Sequence, residues 1–173
     1  VGFLTKERIA ANKQKEIELA ITTVVPGARS SQKVYEEKDF AVYHGKDESG
    51  QTLGFAINTS ASGFQDKILL IFGINASLTK INCLYILDQK ETPGLGAKIT
   101  NREAFLQFWE NKDASQPLAL RKPPVSVGEL PSSEVNAITG ATISSRAVLA
   151  GVNVSLEKIK KLQAEGRLGP GGG

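Results

Sequence analysis

Hydroxyl side chains crowd into one short stretch of this sequence, ITGATISSRA at residues 138–147, where an apolar helical pattern begins. The hydroxyl residues of the stretch are Thr139, Thr142, Ser144 and Ser145. The first amides of a helix have no partners within the helix, and together with the helix dipole they attract phosphate. Gly140 and Ala141 are small, so the backbone there can approach a ligand closely. The stretch therefore predicts either a helix capped by Thr139 or Thr142 or a site for a phosphate-bearing ligand.

A second stretch, ETPGLG at residues 91–96, has the composition of a tight loop. Its Pro-Gly pair and its second glycine leave the backbone amides unshielded by side chains. Alone, this pattern indicates a ligand-binding loop only weakly, because a plain turn between a strand and a helix has the same composition.

The rest of the composition argues against several kinds of chemistry. The 21 Lys and Arg and the 18 Asp and Glu are scattered and the net charge is +3, so nucleic-acid binding is not expected. Cys83 is the only cysteine and His44 the only histidine, which argues against a disulfide within the chain and against a Cys/His metal site. We expect Cys83 to be a small core residue and His44 to lie in a surface loop. Side-chain acid–base or nucleophilic catalysis is not expected either, because a lone histidine leaves little to build it from.

The elements that position these stretches are predicted from hydrophobic periodicity. Apolar residues at helical spacing predict an opening helix over 5–24, ended by Pro26-Gly27. Runs rich in β-branched and aromatic residues predict four strands of an antiparallel sheet, at 40–44, 52–61, 67–75 and 79–88. The run 67–75 is apolar almost throughout, which is typical of a strand buried on both faces.

The second half of the chain is predicted to be mostly helix and connection. Thr100-Asn101-Arg102-Glu103 has the form of a capping box and predicts a helix ending near residue 112. Four prolines in 114–134 predict an extended connection with one short strand. A final helix is predicted over 143–162, with a stop at Gly166 and a flexible tail over 166–173. Its buried stripe is Val148, Val152, Leu156 and Ile159. The chain is thus predicted to form one α+β domain over 1–165, with a curved antiparallel sheet and flanking helices.

The two loop motifs occur here in a specific combination. LDQKETPGLGAKI followed by NAITGATISSRAV resembles the FMN-binding domain found in the G subunit of Rnf-type electron transport complexes. A similar domain occurs in the C subunit of the sodium-pumping NADH:quinone reductase. The resemblance spans most of the chain and includes the opening helix, SGFQDKI (62–68) and the FLQFW helix.

This resemblance implies a covalently bound flavin. In that family the threonine closing the (S/T)-G-A-T motif is esterified to the phosphate of FMN, which points to Thr142 here, preceded by Thr139, Gly140 and Ala141. Ser144 and Ser145 are then expected to add hydroxyl donors to the phosphate. The residues expected on the isoalloxazine side are Glu91, Thr92, Gly94, Leu95 and Gly96.

Two positions depart from the family pattern. The aspartate that usually begins the flavin-attachment pattern, three residues before Thr139, is Asn136 here. That acidic residue belongs to the pattern read by the attaching enzyme, so Asn136 is expected to affect installation of the flavin. A histidine often found two residues before Glu91 is Gln89 here.

By resemblance, the chain is expected to be an electron-transfer subunit of a membrane-bound, ion-translocating ferredoxin/NAD oxidoreductase. The expected partners are the other subunits and, during maturation, a flavin transferase. The chain begins at Val1 and has no run of about 18 apolar residues, so the implied single N-terminal anchor would precede it, with the domain on the outer face of the membrane. The alternatives are the quinone-reductase C subunit, a non-redox module binding another phosphate ligand, and a structural subunit that has lost its attachment site.

Overall fold

A computed structural model of the chain describes residues 15–63 and 66–168. The strands are β1 (Ser30–Glu37), β2 (Phe40–Lys46), β3 (Thr52–Ser62), β4 (Lys67–Asn75), β5 (Lys80–Asp88), β6 (Lys112–Asp113), β7 (Ala119–Arg121) and β8 (Glu134–Asn136), and the helices are α1 (15–24) and α2 (Thr142–Ala164). Strands β1 to β6 form one antiparallel sheet in that order, and β7 pairs with β8 in parallel. The predicted α+β class, with an antiparallel sheet and flanking helices, is confirmed.

Strand β4 lies inside the sheet and is buried on both faces, as its apolar sequence predicts. Leu70, Phe72 and Ile74 belong to the larger core, which includes the buried residues of α2. Ile71 belongs to a smaller cluster that includes residues of α1. Because successive side chains of a strand point to opposite faces, the two helices cover opposite faces of the sheet.

The described part of α1 confirms the predicted opening helix, and residues 5–14 of that prediction lie outside the described residues. Ile21 and Val24 are fully buried against the sheet. The helix comes so close to β4 that a Cβ on Gly73 would overlap the Val24 carbonyl. A glycine in the strand is therefore what allows this approach.

Strand β1 is not predicted by the sequence pattern. Its sequence, SSQKVYEE, is polar, and both of its faces are exposed or half-buried. It lies at the edge of the sheet, where only β2 supplies hydrogen bonds. A strand that buries little surface shows no alternation of apolar and polar residues, so periodicity could not reveal it.

The predicted helix from Thr100 to residue 112 is wrong. The chain forms turns followed by a 3-10 helix, Leu106–Trp109, before it pairs as β6 with β5. The Asn101 Oδ1 accepts a hydrogen bond from the Ala104 amide at 2.7 Å, which stabilises the turns that precede the 3-10 helix. Phe105 and Trp109 are fully buried and meet edge to face. The chain buries both aromatic side chains and pairs with the sheet again within a few residues. It therefore has no room for a regular α-helix in this segment.

Helix α2 confirms the predicted final helix to within two residues at each end, and its predicted stripe is buried. Gly166 has a φ of +69° just beyond the helix, the left-handed conformation that ends many helices. Leu168 then packs back onto the domain and is only 5% exposed. The packed domain therefore reaches at least Leu168, and the rest of the predicted tail, 169–173, lies outside the described residues.

His44 is not in a surface loop, so that prediction is wrong. It lies in β2, is 1% exposed, and meets Phe55 edge to face. Its Nε2 lies 3.1 Å from the Leu168 carbonyl oxygen and its Nδ1 lies 3.3 Å from the Thr52 hydroxyl. A neutral ring with the proton on Nε2 satisfies both contacts.

Cys83 is half-buried and packs against the smaller core, where burial raises the pKa of its thiol to about 11.

Neither α1 within its described residues nor α2 has a stretch long and apolar enough to cross a membrane.

Candidate functional site

The two loop motifs meet at the N-terminus of α2 and enclose a cavity of about 390 Å³. Its walls are formed by Thr92, Leu95, Gly96, Gly140, Ala141, Thr142, Ile143 and Ser144. Small-molecule pockets in proteins span roughly 300–1,000 Å³, so the cavity is large enough to take part of a cofactor. Two stretches that are far apart in sequence thus build one site.

Helix α2 begins without a side-chain cap. Ala141 occupies the N-cap position and no described side chain makes a capping hydrogen bond there, so the prediction that Thr139 or Thr142 caps the helix is wrong. Thr139 is exposed and lies outside the cavity wall. Thr142 is the first residue of α2 and lines the cavity. The positive end of the helix dipole therefore faces the cavity beside a hydroxyl side chain.

The ETPGLG loop connects β5 to a 3-10 helix, Gly96–Thr100. The Thr92 carbonyl accepts the amides of Leu95 and Ala97 at 3.0 and 3.1 Å, which closes the loop. Gly94 has a φ of +78° and a Cβ there would contact nothing within 4 Å. Glycine is therefore favoured at position 94 because of the backbone conformation and not because of a lack of space.

Leu95 joins the loop to the TGAT motif across the cavity. A Cβ on Gly140, whose φ is +83°, would lie 3.6 Å from Leu95 Cδ2. The Leu95 side chain is 47% exposed and that of Ile143 is 60% exposed, although both are large and apolar. These two side chains give the cavity an apolar rim that is open to solvent.

Ser144 and Ser145 are buried and hydrogen-bonded within the protein. The Ser144 hydroxyl donates to Glu91 Oε1 at 2.6 Å. The Ser145 hydroxyl donates to the Ala141 carbonyl at 3.0 Å and accepts the Ile138 amide at 3.0 Å. A serine has one hydroxyl proton, so in this arrangement neither side chain has a donor left for a phosphate, in contrast to the expectation from the sequence.

The residues expected on the isoalloxazine side separate into two groups. The structure places Thr92, Leu95 and Gly96 in the cavity wall. Glu91 is 4% exposed and lies behind that wall, and Gly94 is exposed outside it. Ile143 was missed by the sequence reasoning, and its only signal was a large apolar residue directly after the threonine.

The cavity wall carries no charged side chain in the part of the chain that the structure describes. Arg146 follows Thr142 by four residues in α2 and is exposed. Residues four apart in a helix lie on the same side, so Arg146 lies on the same side of α2 as Thr142.

Asn136 is the last residue of β8, three residues before the TGAT motif. Its side chain is fully buried, its Oδ1 accepts the Val125 amide at 3.1 Å, and its Nδ2 donates to the Val125 carbonyl at 2.6 Å. The amide thus joins the end of β8 to the proline-containing connection. Gln89 has a local role as well, because its Oε1 accepts the Glu91 amide at 2.7 Å.

Comparison with known proteins gives relatives that are parts of larger complexes. Over 127 residues the chain is 35% identical to the G subunit of the Na(+)-translocating ferredoxin:NAD(+) oxidoreductase complex of Acetobacterium woodii, covering 73% of this chain and 58% of that protein. It is 32% identical over 117 residues to the G subunit of the ion-translocating oxidoreductase complex of Methanosarcina acetivorans, covering 68% of this chain and 57% of that protein. The matches thus span less than two thirds of the length of either relative.

The fold and the sequence family agree with these matches. The crystal structure of Shewanella oneidensis NqrC superposes with a TM-score of 0.58 at 19% identity, covering 78% of this chain and 72% of that one, which shows a shared fold. The FMN-binding domain model matches residues 63–157, more than half of the chain and both loop motifs. The resemblance seen in the sequence is confirmed, and the chain belongs to the FMN-binding domain family.

Proposed function

We propose that this chain carries FMN attached through its phosphate to Thr142 and serves as an electron-transfer subunit of an ion-translocating oxidoreductase. The observation that carries the proposal is the position of Thr142. Its side chain lines an apolar cavity at the uncapped N-terminus of α2, opposite the ETPGLG loop.

The residues of the site fit the parts of FMN. A phosphodiester at Thr142 keeps one negative charge, which the first amides and the dipole of α2 favour by about 0.3–1 kcal/mol. Leu95 and Ile143 supply an apolar wall for a ring system. When bound, FMN supplies the redox chemistry, and the protein positions it and sets the polarity of its surroundings.

Attachment at Thr142 requires an activated flavin donor. An ester formed directly from free FMN would have to expel hydroxide, so we propose a flavin dinucleotide as the donor, used by a separate flavin transferase. Thr142 Oγ1 bonds to the phosphorus of the FMN half and loses its proton. The bond from that phosphorus to the second nucleotide breaks, and a nucleoside monophosphate leaves.

The names of the relatives support the role in a complex. Both are G subunits of ion-translocating oxidoreductase complexes, and one is named for ferredoxin and NAD(+). We propose that this chain has the other subunits of such a complex as partners. A membrane anchor N-terminal to this domain and a location on the outer face of the membrane belong to the same proposal.

The proposal is tested by producing the chain together with a flavin transferase. Wild-type protein should stay yellow after denaturation and gel filtration, and peptide mass spectrometry should place one FMN on Thr142. Thr142→Val is nearly isosteric and should abolish covalent flavin, whereas Thr139→Val should retain it. A wild-type chain left colourless by a transferase that loads another family member would overturn the proposal, as would flavin found on Ser144.

A further inference from the structure

We propose that Glu91 and Ser144 are a positioning pair that holds the ETPGLG loop against the N-terminus of α2 and so sets the shape of the cavity. The pair itself is independent of the proposed function. Its effect on a bound flavin rests on that function.

The contact between them is short, buried and long-range. The Ser144 hydroxyl donates to Glu91 Oε1 at 2.6 Å across 53 residues of sequence. Glu91 is 4% exposed and Ser144 is 3% exposed, so water competes little for either group. One partner belongs to the loop on one side of the cavity and the other to the first turn of α2 on the opposite side.

Glu91 is also held by close backbone packing. A Cβ on Gly63 would come within 2.8 Å of Glu91 Oε1, and a Cβ on Gly96 would come within 2.9 Å of Glu91 Cβ. Both distances are shorter than van der Waals contact, so a side chain at either glycine would displace Glu91 from its present position. The Glu91 backbone is fixed in turn by the bond from its amide to Gln89 Oε1.

This packing determines how the cavity walls are placed. Thr92, Leu95 and Gly96 follow Glu91 directly, while Thr142 comes two residues before Ser144. A change in the distance between Glu91 and Ser144 therefore moves the apolar wall relative to the proposed attachment hydroxyl. Removal of either partner breaks a hydrogen bond inside the protein, where water replaces it poorly.

Ser145 provides a matched control. It is also a buried serine in the first turn of α2, but its hydroxyl bonds to Ala141 and Ile138 and not to the loop. A general weakening of the helix start should therefore appear in Ser144→Ala and in Ser145→Ala alike. Loss of the positioning pair should appear in Ser144→Ala alone.

The first measurement uses amide hydrogen exchange in the unmodified chain. The amides of Leu95 and Ala97, which close the loop onto Thr92, should exchange at least about tenfold faster in Ser144→Ala and in Glu91→Leu. The same amides should keep the wild-type exchange rate in Ser145→Ala. Glu91→Gln retains an acceptor oxygen, so it should keep most of the protection that Glu91→Leu loses. Rates in Ser144→Ala within about twofold of wild type, or an equal acceleration in Ser145→Ala, would overturn the proposal.

The second measurement uses chains loaded with flavin by a transferase. Ser144→Ala should shift the visible flavin spectrum and the midpoint potential relative to wild type, with Ser145→Ala close to wild type. If wild type takes up no flavin while the exchange pattern is as expected, the proposed function fails and the positioning pair stands. If loaded Ser144→Ala matches loaded wild type in spectrum, potential and exchange, the positioning pair fails and the proposed function stands.

Discussion

The two ends of α2 are built in opposite ways. At the C-terminus, Gly166 and Arg167 donate their amides to Gln163 and Leu162, so the last carbonyls have partners. Leu168 is then buried, and its carbonyl meets His44. At the N-terminus, no described side chain caps the helix, and the first turn borders a cavity.

The difference separates an end of α2 that is packed into the fold from an end that borders the proposed flavin site. A helix needs partners for its terminal groups. At the C-terminus of α2, backbone amides bond to the carbonyls of Lys161, Leu162 and Gln163, whereas no described side chain caps the N-terminus. The N-cap residue is Ala141, whose methyl group cannot accept a hydrogen bond. The first amides of α2 are therefore left without a side-chain cap beside the cavity, which is what an anionic ligand requires.

The largest effects should come from exchanging for alanine the leucine that packs beside each end of α2, Leu168 near the C-terminus and Leu95 across the cavity from the N-terminus. Leu168→Ala removes a buried side chain and should lower the free energy of unfolding by about 2–5 kcal/mol, while folded protein still takes up flavin normally. Leu95→Ala removes a half-exposed side chain, so it should cost less than about 1 kcal/mol but perturb the visible flavin spectrum. Denaturant unfolding and absorption spectra measure both. Equal spectral changes in the two variants would contradict the separation of the two ends.

Asn136→Asp should remove the hydrogen bond that the Asn136 amide donates to the Val125 carbonyl, just before the N-terminus of α2. A carboxylate can accept the Val125 amide but cannot donate to the Val125 carbonyl, so we expect a loss of about 1–3 kcal/mol at neutral pH. The loss should shrink in acid, where the protonated side chain donates again. Unfolding at two pH values tests this, and a pH-independent loss would contradict it.

The same variant tests the expected role of Asn136 in flavin installation. Coexpression of wild type and Asn136→Asp with one transferase, with covalent flavin counted per folded protein, separates installation from stability. A higher count in the variant, despite its lower stability, would show that the transferase reads the acidic residue. Equal counts would assign Asn136 to the fold alone.

Glycine-to-alanine exchanges give a matched pair of smaller effects. Gly140 and Gly166 both have positive φ, and a Cβ would lie no closer than 3.6 Å to another atom at Gly140 and would meet nothing within 4 Å at Gly166. Both variants should lose about 1 kcal/mol of stability through backbone strain. Only Gly140→Ala should also slow flavin attachment, because it lies beside Thr142. Equal attachment rates would show that the backbone at Gly140 plays no part in the site.

The smallest effect should be a pH dependence at the C-terminal end. Burial lowers the pKa of His44, with Lys46 adding to this and the Leu168 carbonyl opposing it. The fold therefore favours the neutral ring, so its contribution is complete above the ordinary pKa of about 6.5 and is lost as the pH falls below that value. Wild type should lose stability between about pH 7 and 5, and His44→Gln should lack this component. Parallel curves for the two proteins would contradict it.

Local sequence was sufficient where local interactions decide the structure. The apolar run of β4 predicted a strand buried on both faces, and the stripe of α2 with Gly166 predicted that helix and its end. The loop motifs predicted the family through their combined resemblance to it, although each motif alone also fits a plain turn or a helix start. Local sequence did not predict β1, because an edge strand shows little periodicity. The helix predicted after Thr100 was wrong, because the chain returns to the sheet within a few residues in spite of the capping-box sequence.

The sequence by itself determined β2 to β5, α2 and the described part of α1, because these depend on spacing along the chain. Its resemblance to a known family supplied the family and the candidate residues for FMN. Only the tertiary structure decided which of those residues face the cavity. It turned Ser144 towards Glu91, placed Asn136 against Val125, and buried His44 under Leu168. The contacts of Ser144 and His44 join residues 53 and 124 positions apart, and that of Asn136 joins residues 11 apart on separate elements. All three depend on how the elements pack together, which no local pattern records.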